Sequence, residues 1–231
     1  MDILEQTKPN KNKWISFLAD GILSGLMLGI GGMVSLSSEN RFLGAFLFSL
    51  GLFCIVQFKY GLFTGKVGYI VNRDLPYVAE TAVTLVGNAL GTLIAALLLR
   101  QVRFFTSTVS TMDVTISDRV QATVDGKIHD NPLSIFILAI FCGILMFTAV
   151  EGSRKCKEEK NFTGSLFVVV MPVMVFIICG FNHCIADMFY YFFAGCPEPS
   201  KAIVYFILAI AGNSVGGMIV PLLKKLSNQP L

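Results

Sequence analysis

The sequence predicts an all-α, polytopic membrane protein. Six transmembrane helices form two inverted three-helix repeats, with the second and fifth helices broken. Three observations lead there. The chain of 231 residues is 54% hydrophobic and only 14% charged, with a mean hydropathy of +0.69, which is too few charges for a soluble domain of this size. Its apolar residues fall in runs long enough to cross a bilayer, which takes about 20 residues each. Two of those runs are interrupted by glycine-rich, charge-bearing sequence.

The runs cover roughly 14–36, 42–71, 77–99, 133–151, 165–193 and 201–223. Residues 1–231 read as one membrane domain, with repeat one at about 14–99 and repeat two at about 133–223. The loop 100–132 between them is expected to be extracellular and to hold at most a short amphipathic piece. Pro76 and Pro132 fall near helix starts, where a missing N–H costs little. The opening "MDILEQTKPNKNKW" is polar for too long to be a signal peptide.

Lysine and arginine set the orientation. With both termini in the cytoplasm, the inner side holds ten: Lys8, Lys11, Lys13, Arg73, Arg154, Lys155, Lys157, Lys160, Lys224 and Lys225. The outer side holds six: Arg41, Arg100, Arg103, Arg119, Lys127 and Lys201. The excess of positive charge inside favours that choice.

The second run is broken by "KYGLFTGKVG" and the fifth by "CGFNHCIAD". Lipid offers backbone N–H and C=O groups no partner, so such breaks must line a cavity or be covered by protein. Short motifs recur at a nearly constant offset. "GIL" begins at Gly21 and Gly143, 122 apart; "GNALG" and "GNSVG" at Gly87 and Gly212, 125 apart; "GLFT" and "GFNH" at Gly61 and Gly180, 119 apart. Three helices per repeat is an odd number, so the second repeat enters from the opposite face, and the breaks meet near the midplane. This register sets Thr64 opposite His183.

His183 is one of two histidines. In a soluble domain a lone histidine among apolar residues is usually a satisfied core residue. Within a membrane, ionisable groups are costly and mark pathways, and imidazole titrates near neutral pH, which suits a proton relay. Asp187, four residues on, shares its face if a helix restarts there, and is expected to accept from the imidazole or from backbone. Thr64 offers a hydroxyl, and Lys66, in irregular backbone between Gly65 and Gly68, offers a cation. Asn88 and Asn213 are expected to brace the loose backbone of the breaks. Phe48, Leu52 and Phe176 are candidates for an apolar neck that excludes bare ions by dewetting. "GSRKCKEEK" reads as a solvated anchoring loop, with Lys155 a candidate for attracting anions.

The six cysteines have no ligand or disulfide spacing, and no further metal ligands accompany His183 and Asp187, so neither metal nor cofactor is expected. Enzyme signatures are absent, and a net charge of +3 is too mild to suggest nucleic acid. A neutral-solute channel of the water or glycerol kind shares the architecture, although Lys66 and His183 argue for an anionic permeant. A redox subunit would need a cofactor.

"GFNHCIADMF", "LFTGKVGYIV" and the paired "GN" motifs together resemble the formate–nitrite transporter family over nearly the whole chain. The resemblance implies an aquaporin-like plan and a homopentamer in a bacterial cytoplasmic membrane. Each protomer then has its own pore for small monovalent anions or their conjugate acids, such as formate, nitrite or hydrosulfide. It implies that His183 is the central pore histidine and Thr64 the threonine of the broken loop, with Leu62 and Phe63 the apolar residues before it. Phe48, Leu52, Val150 and Phe176 match the family's constrictions, and Lys127 resembles a lysine at the outer mouth. The sequence departs from the family's usual asparagines at Phe147, Lys66 and Asp187. The "FTGK" loop most resembles the hydrosulfide channel branch.

Overall fold

A computed structural model of the chain describes residues 12–109 and 114–227. Lys8 and Lys11, counted above for orientation, lie outside the described residues. The helices are α1 (Lys13–Ser37), α2 (Arg41–Phe58), α3 (Phe63–Lys66), α4 (Leu75–Leu99), α5 (Ile116–Ile128), α6 (Pro132–Glu158), α7 (Phe162–Cys179), α8 (Cys184–Phe193) and α9 (Pro199–Leu226). Of these, α1, α2, α4, α6, α7 and α9 are long and apolar enough to cross a membrane.

The two halves pack alike. Helix α1 lies against α4 and α2, as α6 lies against α9 and α7, and α2 meets α7 between them. Glycine permits the close approaches. A Cβ on Gly91 would stand 2.1 Å from the Ile22 carbonyl oxygen of α1, and one on Gly216 would stand 2.0 Å from that of Ile140 in α6. Small residues let membrane helices approach to this distance, where dispersion and not the hydrophobic effect holds them.

The breaks repeat in detail. Every boundary of α7 lies 121 residues after its counterpart in α2 (Arg41 to Phe162, Phe58 to Cys179), and α8 likewise starts 121 after α3 (Phe63 to Cys184). Both α2 and α7 end on a left-handed residue, Lys59 with φ 61° and Gly180 with φ 70°. The next amide then bonds five residues back, Tyr60 N to Ile55 O at 2.9 Å and Phe181 N to Phe176 O at 2.9 Å. The structural equivalents are therefore Lys59 with Gly180 and Leu62 with His183. The expected pairing of Thr64 with His183, drawn from "GLFT" and "GFNH", is two residues out of register. Only one break spends its glycine on the left-handed cap; the other uses Lys59, and its Gly61 comes two residues later.

Left-handed backbone costs an L-residue roughly 1–2 kcal/mol. Gly180→Ala is therefore expected to lower stability by about 1 kcal/mol, and Lys59→Gly to lower it less or to raise it. Denaturant unfolding of the two variants in detergent checks this; equal losses would reject the strain argument.

Two segments differ from expectation. Residues 152–158 continue α6 instead of forming a loop, because Arg154 pairs with Glu151 at 2.7 Å and Glu158 at 2.5 Å, one turn away on either side. The loop 100–132 holds α5 and, beyond the amphipathic piece expected, a small antiparallel pairing of β1 (Thr108–Val109) with β2 (Val114–Thr115). Helix α5 starts with a reciprocal cap between Thr115 and Asp118. The Thr115 hydroxyl and amide hold the Asp118 carboxyl below the ordinary carboxylate range. Helix α5 buries Ile116, Val120, Val124 and Ile128 on the bundle and leaves Asp125 and Lys127 towards its C-terminal end.

Candidate functional site

Each break is held by an asparagine from a neighbouring helix. Asn88 of α4 accepts from the Phe63 amide at 2.9 Å and donates to the carbonyls of Gly21 at 2.9 Å and Gly61 at 2.8 Å. Asn213 of α9 accepts from the Cys184 amide at 2.9 Å and donates to Ala139 and Asn182, both at 2.8 Å. A primary amide suits this task because it offers an acceptor and two donors at once. Both side chains are wholly buried.

The brackets bring His183 and Thr64 together. His183 is the N-cap of α8, and its Nδ1 accepts from the Ala186 amide at 3.1 Å. A neutral ring must then carry its proton on Nε2, which lies 3.0 Å from Thr64 Oγ1. Nε2–H donates to the hydroxyl, and the hydroxyl proton is free to be donated onward. A second proton, on Nδ1, would forfeit the Ala186 bond. The ring is thus built as a hydrogen-bond donor towards Thr64, and a proton relay through it must first break the cap. Both side chains are buried, at 1% and 0% exposure.

Two vestibules flank this buried contact. One, of about 450 Å³, lies beneath α5 and is lined by Leu36, Arg41, Arg119, Lys127, Phe176 and Asp187 among others. The other, of about 410 Å³, is lined by Lys59, Leu62, Lys66, Val150, Arg154 and Lys157 among others. Phe176 separates the first from His183, with ring centroids 5.5 Å apart, and packs edge-on against Phe48 at 5.6 Å. Leu62 and Val150 reach the second, whereas Phe48, Leu52 and Phe63 are buried in the packing around the contact.

Several expected residues stand elsewhere or bond differently. The Asp187 carboxylate does not meet the imidazole; it accepts from Tyr205 Oη at 2.6 Å and pairs with Lys127 Nζ at 3.2 Å. Its link to His183 is through backbone, Asp187 N to His183 O at 2.9 Å. Lys127 also donates to Asn182 Oδ1 at 2.8 Å. The Lys66 ammonium turns away from His183. It lies 4.6 Å from the Phe17 ring and 5.4 Å from that of Tyr77, and donates to Thr84 at 3.3 Å. Lys66 is not in irregular backbone as expected but ends the short α3 in right-handed helical conformation, which directs it into an aromatic pocket between α1 and α4, where cation–π attraction holds it. Lys155 does not line the second vestibule; Arg154 and Lys157 do. On α6 they stand one and two positions either side of it, so the helical extension to Glu158 decides which cations face inward. Phe147 packs on Tyr69, with centroids 5.1 Å apart.

Sequence reasoning missed Arg41, Arg119 and Lys157 as vestibule residues. Each is fixed by main-chain carbonyls far along the chain. Arg41 donates to Ile178 O at 2.8 Å, Arg119 to Leu36 O at 2.5 Å and Ser38 O at 2.8 Å, and Lys157 to Val56 O at 2.7 Å. All three sit where a helix presents its unpaired carbonyls and its negative dipole end. Their partners are backbone, so no side-chain motif announces them.

Known proteins share this plan. Residues 4–225 match the family model described as formate/nitrite transporter. The formate channel FocA of Haemophilus influenzae is 26% identical over 194 residues, covering 79% of this chain and 67% of that one. The formate-nitrite transporter of Plasmodium knowlesi is 26% identical over 242 residues, covering 89% and 74%. Among solved structures, a pentameric formate channel with formate bound superimposes with a TM-score of 0.75 at 24% identity, covering 95% of this chain and 99% of that one. An ion channel of the same family gives a TM-score of 0.75 at 17% identity, covering 94% and 90%. With the family model spanning nearly every described residue and the same fold in solved relatives, this multi-pass membrane chain belongs to the formate/nitrite transporter family.

Proposed function

We propose that this protein is a channel for small monovalent anions and their conjugate weak acids, with formate the first permeant to test. The route runs within one protomer, from the vestibule beneath α5, past Phe176, across the His183–Thr64 contact, and out past Leu62 and Val150. The observation that carries this reading is that contact: an imidazole N–H donating to a hydroxyl whose own proton is free, buried between two vestibules that hold cations. A bare anion in hydrocarbon is costly. The Thr64 hydroxyl proton, and Nε2–H once it leaves Thr64 for the anion, replace part of the lost hydration, and the positive dipole end of α8 adds to them. The conjugate acid crosses the apolar stretches without that cost.

Several features are part of the same reading. The vestibule beneath α5 faces outward and both termini face the cytoplasm of a bacterial inner membrane. The assembly is a homopentamer, supported by likeness to a solved pentameric formate channel. Hydrosulfide, the permeant suggested by the "FTGK" loop, is a second candidate. With the Lys66 ammonium over Phe17 and Tyr77, that loop brings no cation to the neck, so formate takes precedence.

Permeation of formate, nitrite, hydrosulfide and chloride into proteoliposomes at two pH values tests the proposal. Formate and nitrite are expected to pass well ahead of chloride. Hydrosulfide alone passing fast would reinstate the narrower reading. Water permeability without anion passage would replace it with a neutral-solute channel.

A further inference from the structure

The geometry points to a binding site for a first-row divalent cation, of the zinc class, that staples the end of α5 to the start of α9. Asp125 and His129 stand one turn apart at the C-terminal end of α5, and Glu198 is the residue before α9. One donor atom from each lies within 4.8 Å of the others. His129 Nδ1 is 2.9 Å from Asp125 Oδ1, and Nε2 is 3.1 Å from Glu198 Oε1. None of the three belongs to the permeation route described above.

Hydrogen bonding fixes the tautomer of His129. His129 Nδ1 lies 3.0 Å from the main-chain carbonyl of Asp125. A carbonyl oxygen can only accept, so Nδ1 carries the proton and a neutral ring turns the lone pair of Nε2 outward. That lone pair faces a carboxylate oxygen at 3.1 Å. Two acceptors at that distance repel unless a proton or a metal ion stands with them. The arrangement is that of a metal-ligating histidine, its second nitrogen fixed by a carbonyl and a carboxylate so that the first is presented to the ion.

Glu198 is prepared in the same way. Lys201 binds its Oε2 at 2.7 Å and leaves Oε1 towards the imidazole. Donors each about 2.0–2.2 Å from a zinc ion stand about 3.3–3.6 Å apart at tetrahedral angles, a few tenths wider than the 3.1 Å between His129 Nε2 and Glu198 Oε1. With Asp125 holding Nδ1, the ligands are the Nε2 imidazole nitrogen and the Glu198 carboxylate, a pair that selects zinc and its first-row neighbours over calcium and magnesium, which take oxygen. Water would complete the shell, since the three side chains are partly exposed. The staple lies two residues beyond Lys127, so an ion here would fix the part of α5 that sets that lysine on Asp187.

The test is zinc binding by the full-length protein in detergent, read by competition with a chromophoric chelator. A C179S/C196S background removes the two exposed thiols as competing ligands. One zinc per chain is expected, excluded neither by calcium nor by magnesium, and at least about tenfold weaker in H129A and in E198Q. Cobalt in place of zinc reports coordination independently through its visible absorption. Thermal melting without metal confirms that the variants fold. No stoichiometric zinc in the parent, or undiminished affinity in both variants, would overturn the site.

Discussion

Asn213→Ala is expected to destabilise the protein by about 2–6 kcal/mol, a large share of the stability a whole domain possesses. The side chain itself contributes little contact area. Its removal leaves the Cys184 amide and the Asn182 carbonyl without a partner, and takes the second donor from the Ala139 carbonyl, which keeps its bond within α6, all in the buried centre of the bundle. Each abandoned buried group costs about 1–3 kcal/mol, and in a membrane no solvent reaches it to compensate. Asn88→Ala removes the equivalent set in the other half and is expected to match it. Unfolding in mixed detergent, followed by helical circular dichroism, gives the comparison. A loss below about 1 kcal/mol in either variant would mean that the break holds without its bracket.

The second large effect is on transport. His183→Ala loses both the cap bond to Ala186 and the Nε2 donor facing Thr64. His183→Asn keeps a good N-cap acceptor but is too short to reach Thr64. The asparagine variant is therefore expected to be close to the parent in stability, and the alanine variant about 1 kcal/mol below it. Both are expected to pass anions more slowly, on the order of tenfold or more, because a hydrogen bond to a charged group is worth about 1.5–3 kcal/mol. Initial flux of formate into proteoliposomes, measured beside the unfolding curves, separates the two roles. An asparagine variant with the parent's flux would remove the histidine from the permeation mechanism.

Much of this site was legible because it is written in residue types that membranes otherwise exclude. His183, Asp187 and the two "GN" motifs stand out against apolar runs, and their recurrence locates both breaks. The register inside the breaks was not legible. It depends on which residue takes the left-handed cap, and Lys59 there gives no sign that Gly180 is its counterpart. The partners of Lys66 and Asp187 were equally hidden. Each looked like a pore charge by sequence distance, yet one ammonium lies over rings of α1 and α4 and the carboxylate belongs to Lys127 and Tyr205. Both residues lie in the short helices after the breaks, α3 and α8, whose facing is set by packing from elements far away in sequence. The end of α6 misled for a simpler reason: a run of charges reads as a loop, but spaced one turn apart those charges make a helix.

The cations on the α5 side have a consequence for biosynthesis. Arg41, Arg119 and Arg100 donate to carbonyls at the ends of α7, α1 and α8, while Lys127 and Lys201 hold Asp187 and Glu198. In the orientation inferred above, helix ends of negative polarity face the outside and require positive charge there. Those charges oppose the signal that directs a nascent chain into the membrane. Before folding they are bare, and count fully against the cytoplasmic lysines; only afterwards are they matched by the helix ends and carboxylates they serve. In that orientation the chain would insert on a narrower margin of charge than the finished protein displays, and its topology would be secured by assembly as well as by translocation.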